Sequence, residues 1–207
     1  MPSSSTTGRV RRSAEERRIE IGEAARDLAL AEGLDAVTLR AVAARIGVAS
    51  GLVAHYIPGM DDLVADTFAE IVGTELAEVR ALLPDAPAPE RLGALVRTSL
   101  DPARAEVTLV WVQAWALGSR NAALAARVRE AMDAWRRVIA DEISRGMAQG
   151  SIPEGEAEPI AWHVLAMIDG LGAHALVGWG PGIDAVTPVL RAVAGLLGVP
   201  VARLGGG

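Results

Sequence analysis

The stretch Gly51-Leu52-Val53-Ala54-His55-Tyr56 holds the side chains of this sequence best suited to recognising a partner. Leu52 and Val53 are short apolar groups of the kind that meets thymine methyls in a major groove. His55 can hydrogen-bond a base edge or a phosphate, Tyr56 can reach a phosphate through its hydroxyl, and Gly51 lets a backbone approach closely. The flanks have the spacing of a helix-turn-helix: a helix ending near Arg45, a turn at Gly47, a second short helix stopped by Pro58, and a third opening on Asp61. No Lys or Arg occurs from Ile46 to Val79, so contacts that hold a polyanion must come from elsewhere. The helix starts at Thr38 and Ser50 offer free N–H groups beside Arg40 and Arg45, and an N-terminal arm carries Arg9, Arg11 and Arg12. The missing charge is thus compatible with binding double-stranded DNA, without arguing for it.

Catalytic chemistry has little to work with. There is no Cys, and only His55, His163 and His174 supply imidazole. No G-x-S-x-G, H-E-x-x-H or phosphate-cradling glycine loop occurs. His163 and His174 share a helix face with Met167 and Gly170, yet no carboxylate or thiol is placed to complete a metal site. The sequence predicts no enzyme, no metal and no cofactor. A small-molecule cavity is the better prospect. Trp111 and Trp115 lie one turn apart, Met132 and Trp135 share the inward stripe of the next helix, and all five Trp fall after residue 110. Wide indole faces around a space suit an apolar or cationic ligand, although the same residues could be plain core. The expected wall is Trp111, Trp115, Met132, Trp135 and Trp162, with Gln113 or His163 orienting the guest.

Helices must position these groups. Ser13 to Glu16 has the form of a capping box, Ile21, Ala24, Ala25 and Leu28 recur at helical spacing, and Gly33 is a natural stop. Thr38 can cap a second helix with Val42, Ala43 and Ile46 inward and Arg40, Ala44 and Arg45 outward, and Gly47 can take the positive φ of the turn. Asp61 caps a long segment to about Leu83, and from Pro89 onward nearly everything reads as helix. The expectation is an all-α chain of about nine helices: a flexible basic arm over 1–13, a helix-turn-helix over 14–60, and a ligand-binding and dimerisation domain over 61–207. A chain of 207 residues that is 51% apolar can bury a sizeable core. The net charge of -6 hides an asymmetry, because residues 1–60 carry eight Arg against seven acids. The N-terminus lacks the apolar core of a signal peptide, which with the missing cysteines predicts a cytoplasmic protein. The most membrane-like window, Ile160 to Trp179, places Asp169 near its centre and reads as a buried helix, not a membrane span.

Two C-terminal helices carry continuous apolar stripes. Val164, Leu165, Ile168, Leu171, Gly172 and Ala175 on one, with Val189, Val193 and Leu196 on the last, could form a self-complementary four-helix contact across a two-fold axis, making a homodimer.

Residues 14–70 resemble the TetR family of transcriptional regulators. The carrying residues are Ala24-Ala25, Glu32-Gly33, Thr38, Ala43, Gly47-Val48, Gly51 and His55-Tyr56, followed by "DDLVADTFAEI". "SGLVAHY" is similar to the BetI-like branch, as are "WVQAWALGSRNAALAARVREAMDAWRRVI" and "AMIDGLGAHALV" to its C-terminal domain. The resemblance implies a homodimeric repressor that binds operator DNA through its N-terminal helices and is released by a small-molecule effector. The chain departs from the family's usual Ser at Ala49, from a frequent aromatic at Ala54 and from a frequent Lys at Met60. With those anchors missing, the competing reading is a helical binding protein or enzyme whose N-terminal domain no longer reads DNA.

Overall fold

The computed structural model describes residues 13–179 and 184–205. Among them the secondary structure is entirely helical, as the sequence predicts, with nine α-helices and three short 3₁₀ turns. Arg9, Arg11 and Arg12 lie outside the described residues.

Helix α1 (Ala14–Glu32) starts on the expected capping box, in which Ser13 and Glu16 each bond the other's backbone N–H. It ends at Gly33, whose φ of 96° is open to glycine at little cost. A 3₁₀ turn, Leu34–Ala36, leads to α2 (Leu39–Arg45), capped by the Thr38 hydroxyl, which accepts from Ala41 N at 3.2 Å. Gly47, at φ 68°, makes the tight turn into α3 (Ser50–Tyr56). Helix α4 (Met60–Leu82) begins at once on Gly59, two residues before the expected Asp61 cap. Asp61 and Asp62 instead occupy its first turn, where carboxylates favour the helix dipole.

The rest of the chain is α5 (Ala88–Ser99), α6 (Ala105–Gly118), α7 (Ala122–Ala148), α8 (Ala157–Leu176) and α9 (Val186–Leu197). Two apolar clusters hold these elements. One joins α1 to α3 and the start of α4 around Phe68, and also takes Val110 and Ala114 of α6 with Leu124 and Val128 of α7. The other packs α5, the end of α7, α8 and α9 around Leu92, Leu95, Ile139 and Ile143. Helices α4, α6 and α7 thus belong to the core that supports the short N-terminal helices and also wall the space behind it. Among the described residues no helix is long and apolar enough to cross a membrane.

Candidate DNA-reading helix and effector cavity

Helix α3 turns Gly51, Leu52, Ala54 and His55 to solvent, with Tyr56 half-buried and its ring edge-on to that of His55 at 5.2 Å. Val53 corrects the sequence reading: it is 0% exposed, packed into the core around Val42 and Ala43, and cannot meet a base. Val48 and Ile57, which flank this seven-residue helix, are half-buried and pack against the same core. Thr38, Arg40 and Arg45 are exposed beside it, and Ser50 is half-buried. Arg45 pairs with Asp27 at 3.2 Å, and no ion pair joins Arg40 to a described residue. Ala49 stands at the α3 N-cap without a side-chain bond.

Behind these helices lies a cavity of about 50 Å³, room for a few waters or one compact organic group. Glu75 of α4, Ser99 of α5, Thr108, Trp111 and Trp115 of α6, Met132 and Trp135 of α7, and Leu165, Ile168, Asp169 and Gly172 of α8 line it. Trp111, Trp115, Met132 and Trp135 sit where the sequence placed them. Trp162, Gln113 and His163 do not. Trp162 is 63% exposed on the far side of α8. His163 is exposed as well, its Nδ1 2.6 Å from the Pro159 carbonyl oxygen. Gln113 points off the opposite face of α6 and donates to Asp35 Oδ1 at 3.0 Å.

The sequence reading missed the two carboxylates. Glu75 accepts a hydrogen bond from Trp111 Nε1 at 3.0 Å. Burial raises its pKa against the opposing pull of that bond and of Arg104, which pairs with Glu78 at 3.7 Å. Asp169 is pushed up to about 6, first by burial and then by the charge of Glu75. Around them Trp115 Nε1, Trp135 Nε1 and Ser99 Oγ are buried with no hydrogen-bond partner among the described residues. Two carboxylates sharing a low-dielectric enclosure cannot both ionise cheaply, and either a proton or a guest cation relieves them. A signal existed in each case. Glu75 falls in helical phase with Phe68, Ile71, Val72 and Val79 on the buried face of α4, and Asp169 interrupts an apolar run.

The proposed interface stripe also needs correction. Val164, Leu165, Val189 and Val193 are buried in the chain's own core, and Ile168 and Gly172 face the cavity, because an amphipathic helix first spends its apolar stripe inside its own fold. Outward, Ala166, Met167, Gly170, Leu171, His174 and Pro188 line a shallow groove between α8 and α9, floored by Val189. Trp162, Ala175 and Leu196 are exposed on these same two helices.

Comparison with known proteins bears on both features. The pattern of the bacterial regulatory proteins of the tetR family matches residues 21–67, and that of the BetI-type transcriptional repressor C-terminal domain matches residues 88–197. The chain belongs to the TetR family. Its members are transcriptional regulators with a helix-turn-helix for DNA, not enzymes. The HTH-type transcriptional regulator BetI 2 of Chromohalobacter salexigens is 30% identical over 148 residues, 67% of each chain. A transcriptional regulator from Saccharomonospora viridis, solved in complex with choline, is 26% identical, with a TM-score of 0.73 over 89% of this chain and 96% of that one. A regulator from Pseudomonas aeruginosa shares the fold, with a TM-score of 0.74 at 22% identity, covering 94% of this chain and 96% of that one.

A TetR-type reader with this α3 separates two neighbouring residues experimentally. Leu52→Ala is expected to leave the melting temperature in place and to change the sequences selected from random DNA, at about 1 to 3 kcal/mol against the best site. Val53→Ala is expected to lower stability by about 1 to 3 kcal/mol with the selected motif unaltered. Equal effects of both on stability, with no change of motif, would remove α3 from the groove.

Proposed function

We propose that this protein is a homodimeric repressor released from its operator by a small organic cation of the substituted-ammonium class. Residues 14–60 hold double-stranded operator DNA, with Leu52 and His55 on base edges, Tyr56, Thr38 and Arg40 toward phosphates, and the arm of residues 1–13 along the backbone. Residues 61–207 bind the effector and pair two subunits through the outward face of α8 and α9.

The observation that carries this reading is the pair Glu75 and Asp169 inside a wall of Trp111, Trp115 and Trp135. Indole faces attract cations, and buried carboxylates favour a positive guest over an apolar one. The choline-bound relative from Saccharomonospora viridis supports the same ligand class. A cavity of about 50 Å³ further favours a compact head group over a long chain. Release requires the cation to prefer the arrangement in which the two α3 helices no longer match successive grooves, since equal affinity for both arrangements shifts nothing.

The test combines three steps on the purified protein. DNA is selected from a random pool, choline chloride is titrated against tryptophan fluorescence, and the selected duplex is then challenged with choline. The expected results are a palindromic motif, a saturable fluorescence change and loss of the duplex. The uncharged carbon isostere of choline is expected to do neither of the last two. If the isostere releases DNA as well as choline does, shape and not charge is being read.

A further inference from the structure

Helix α6 has two working faces. Thr108, Trp111 and Trp115 face the cavity, while Val110 and Ala114 on the other side are buried in the core that supports α1 to α3. Gln113 stands on that second side. Its Nε2 donates to Asp35 Oδ1 at 3.0 Å, and its Oε1 accepts from Asp35 N at 3.4 Å. Asp35 belongs to the 3₁₀ turn between α1 and α2, seventy-eight positions away in sequence. The amide also lies against Gly33, where a Cβ would meet Gln113 Oε1 at 2.4 Å. One uncharged side chain on a largely apolar helix is thus fastened at both ends of its amide to the turn that sets α2 and α3, and its helix carries two indoles of the cavity wall.

We infer that Gln113 is the positioning residue through which occupancy of the cavity reaches the DNA-reading helices. It touches neither guest nor DNA, and this inference rests on the proposed cation-released repressor. A helix moves as a rigid element, so any shift of α6 that accommodates a guest between Trp111, Trp115 and Asp169 displaces the Gln113 amide, and the paired hydrogen bonds draw the 3₁₀ turn with it. Asp35 is the selective partner: its carboxylate demands a donor and its N–H demands an acceptor, and a primary amide supplies both.

The test measures linkage. Choline affinity is determined by tryptophan fluorescence with and without the selected duplex, and the ratio is the coupling factor, which is commonly about 5 to 150 between linked sites. Gln113→Glu sets a carboxylate against Asp35 and is expected to cut the coupling factor about fivefold or more. Choline affinity without DNA and duplex affinity without choline should each stay within about threefold, with the melting temperature little changed. Adding Asp35→Asn restores a donor opposite the new carboxylate and is expected to recover the coupling, which a merely structural defect would not. Coupling unchanged in Gln113→Glu, or no recovery in the double variant, overturns the inference. A fall in choline affinity without DNA also overturns it, by returning Gln113 to the pocket. If the parent binds neither choline nor DNA, the repressor itself is refuted, and this role for Gln113 with it.

Discussion

Asp169→Asn is expected to abolish the response to choline, weakening its binding about 100-fold while the protein remains folded. Removing one member of a buried charge pair typically costs about 2 to 5 kcal/mol, and here the lost member is the carboxylate with no hydrogen-bond donor among the described residues. Glu75→Gln is expected to act in the same direction but less strongly, because Trp111 already shares that charge. The wild-type affinity should depend on pH. With Asp169 at about 6 in the empty cavity, a cation arriving below that pH must displace a proton, so binding strengthens as pH rises through about 6 and levels off above it. Stability runs the other way. The folded value of about 6 lies above the ordinary 3.8, so the neutral carboxyl stabilises the empty fold below pH 4, and that contribution is lost as pH rises through about 6. The loss is on the order of 3 kcal/mol at neutral pH. Asp169→Asn should therefore melt higher than the parent at pH 7.5 and like it near pH 4. Titration calorimetry and thermal melts across this range check both signs. An asparagine variant that still binds choline with the parent's pH profile would move the cation site elsewhere.

Ala166→Arg is expected to separate the proposed dimer. Ala166 is exposed and lines the groove between α8 and α9, so a long cation there leaves the chain's own core untouched while blocking a close, small-residue contact with a second copy. Sedimentation should show a monomer that still binds choline. Affinity for the two-half-site duplex should fall about 100-fold or more, because the second half-site is then no longer bound at high effective concentration. A variant that sediments as a dimer would place the interface on another face.

The helices were legible because their ends are written locally. Ser13 with Glu16, and Thr38, cap helices through their side chains, and Gly33 and Gly47 turn the chain through a positive φ, each of them in the structure as in the sequence. Apolar stripes were legible as stripes but not as destinations. Val53, Val164, Leu165, Val189 and Val193 have the composition of a contact surface, and only packing shows that the surface they meet is their own chain. The cavity was half visible. Indoles announce themselves by rarity, whereas Glu75 looks like the many carboxylates that face water until helical phase is followed along α4, and Asp169 stands out in its apolar run without showing what it faces. Gln113, expected to orient a guest, faces the other side of its helix, since a single helix does not reveal which of its neighbours supplies the hydrogen bonds.

Glu75 sits fifteen residues along α4 from Met60, the residue at which that helix leaves the α3 turn. At about 1.5 Å per residue the separation is roughly 22 Å. A rod of that length is a mechanical amplifier: a tilt of about 5° at the carboxylate sweeps the far end through roughly 2 Å, more than half the length of a hydrogen bond. In the proposed dimer two such sweeps would add to the pull that Gln113 exerts on the 3₁₀ turn, so a guest no larger than a few heavy atoms would have leverage over a fit to grooves about 34 Å apart.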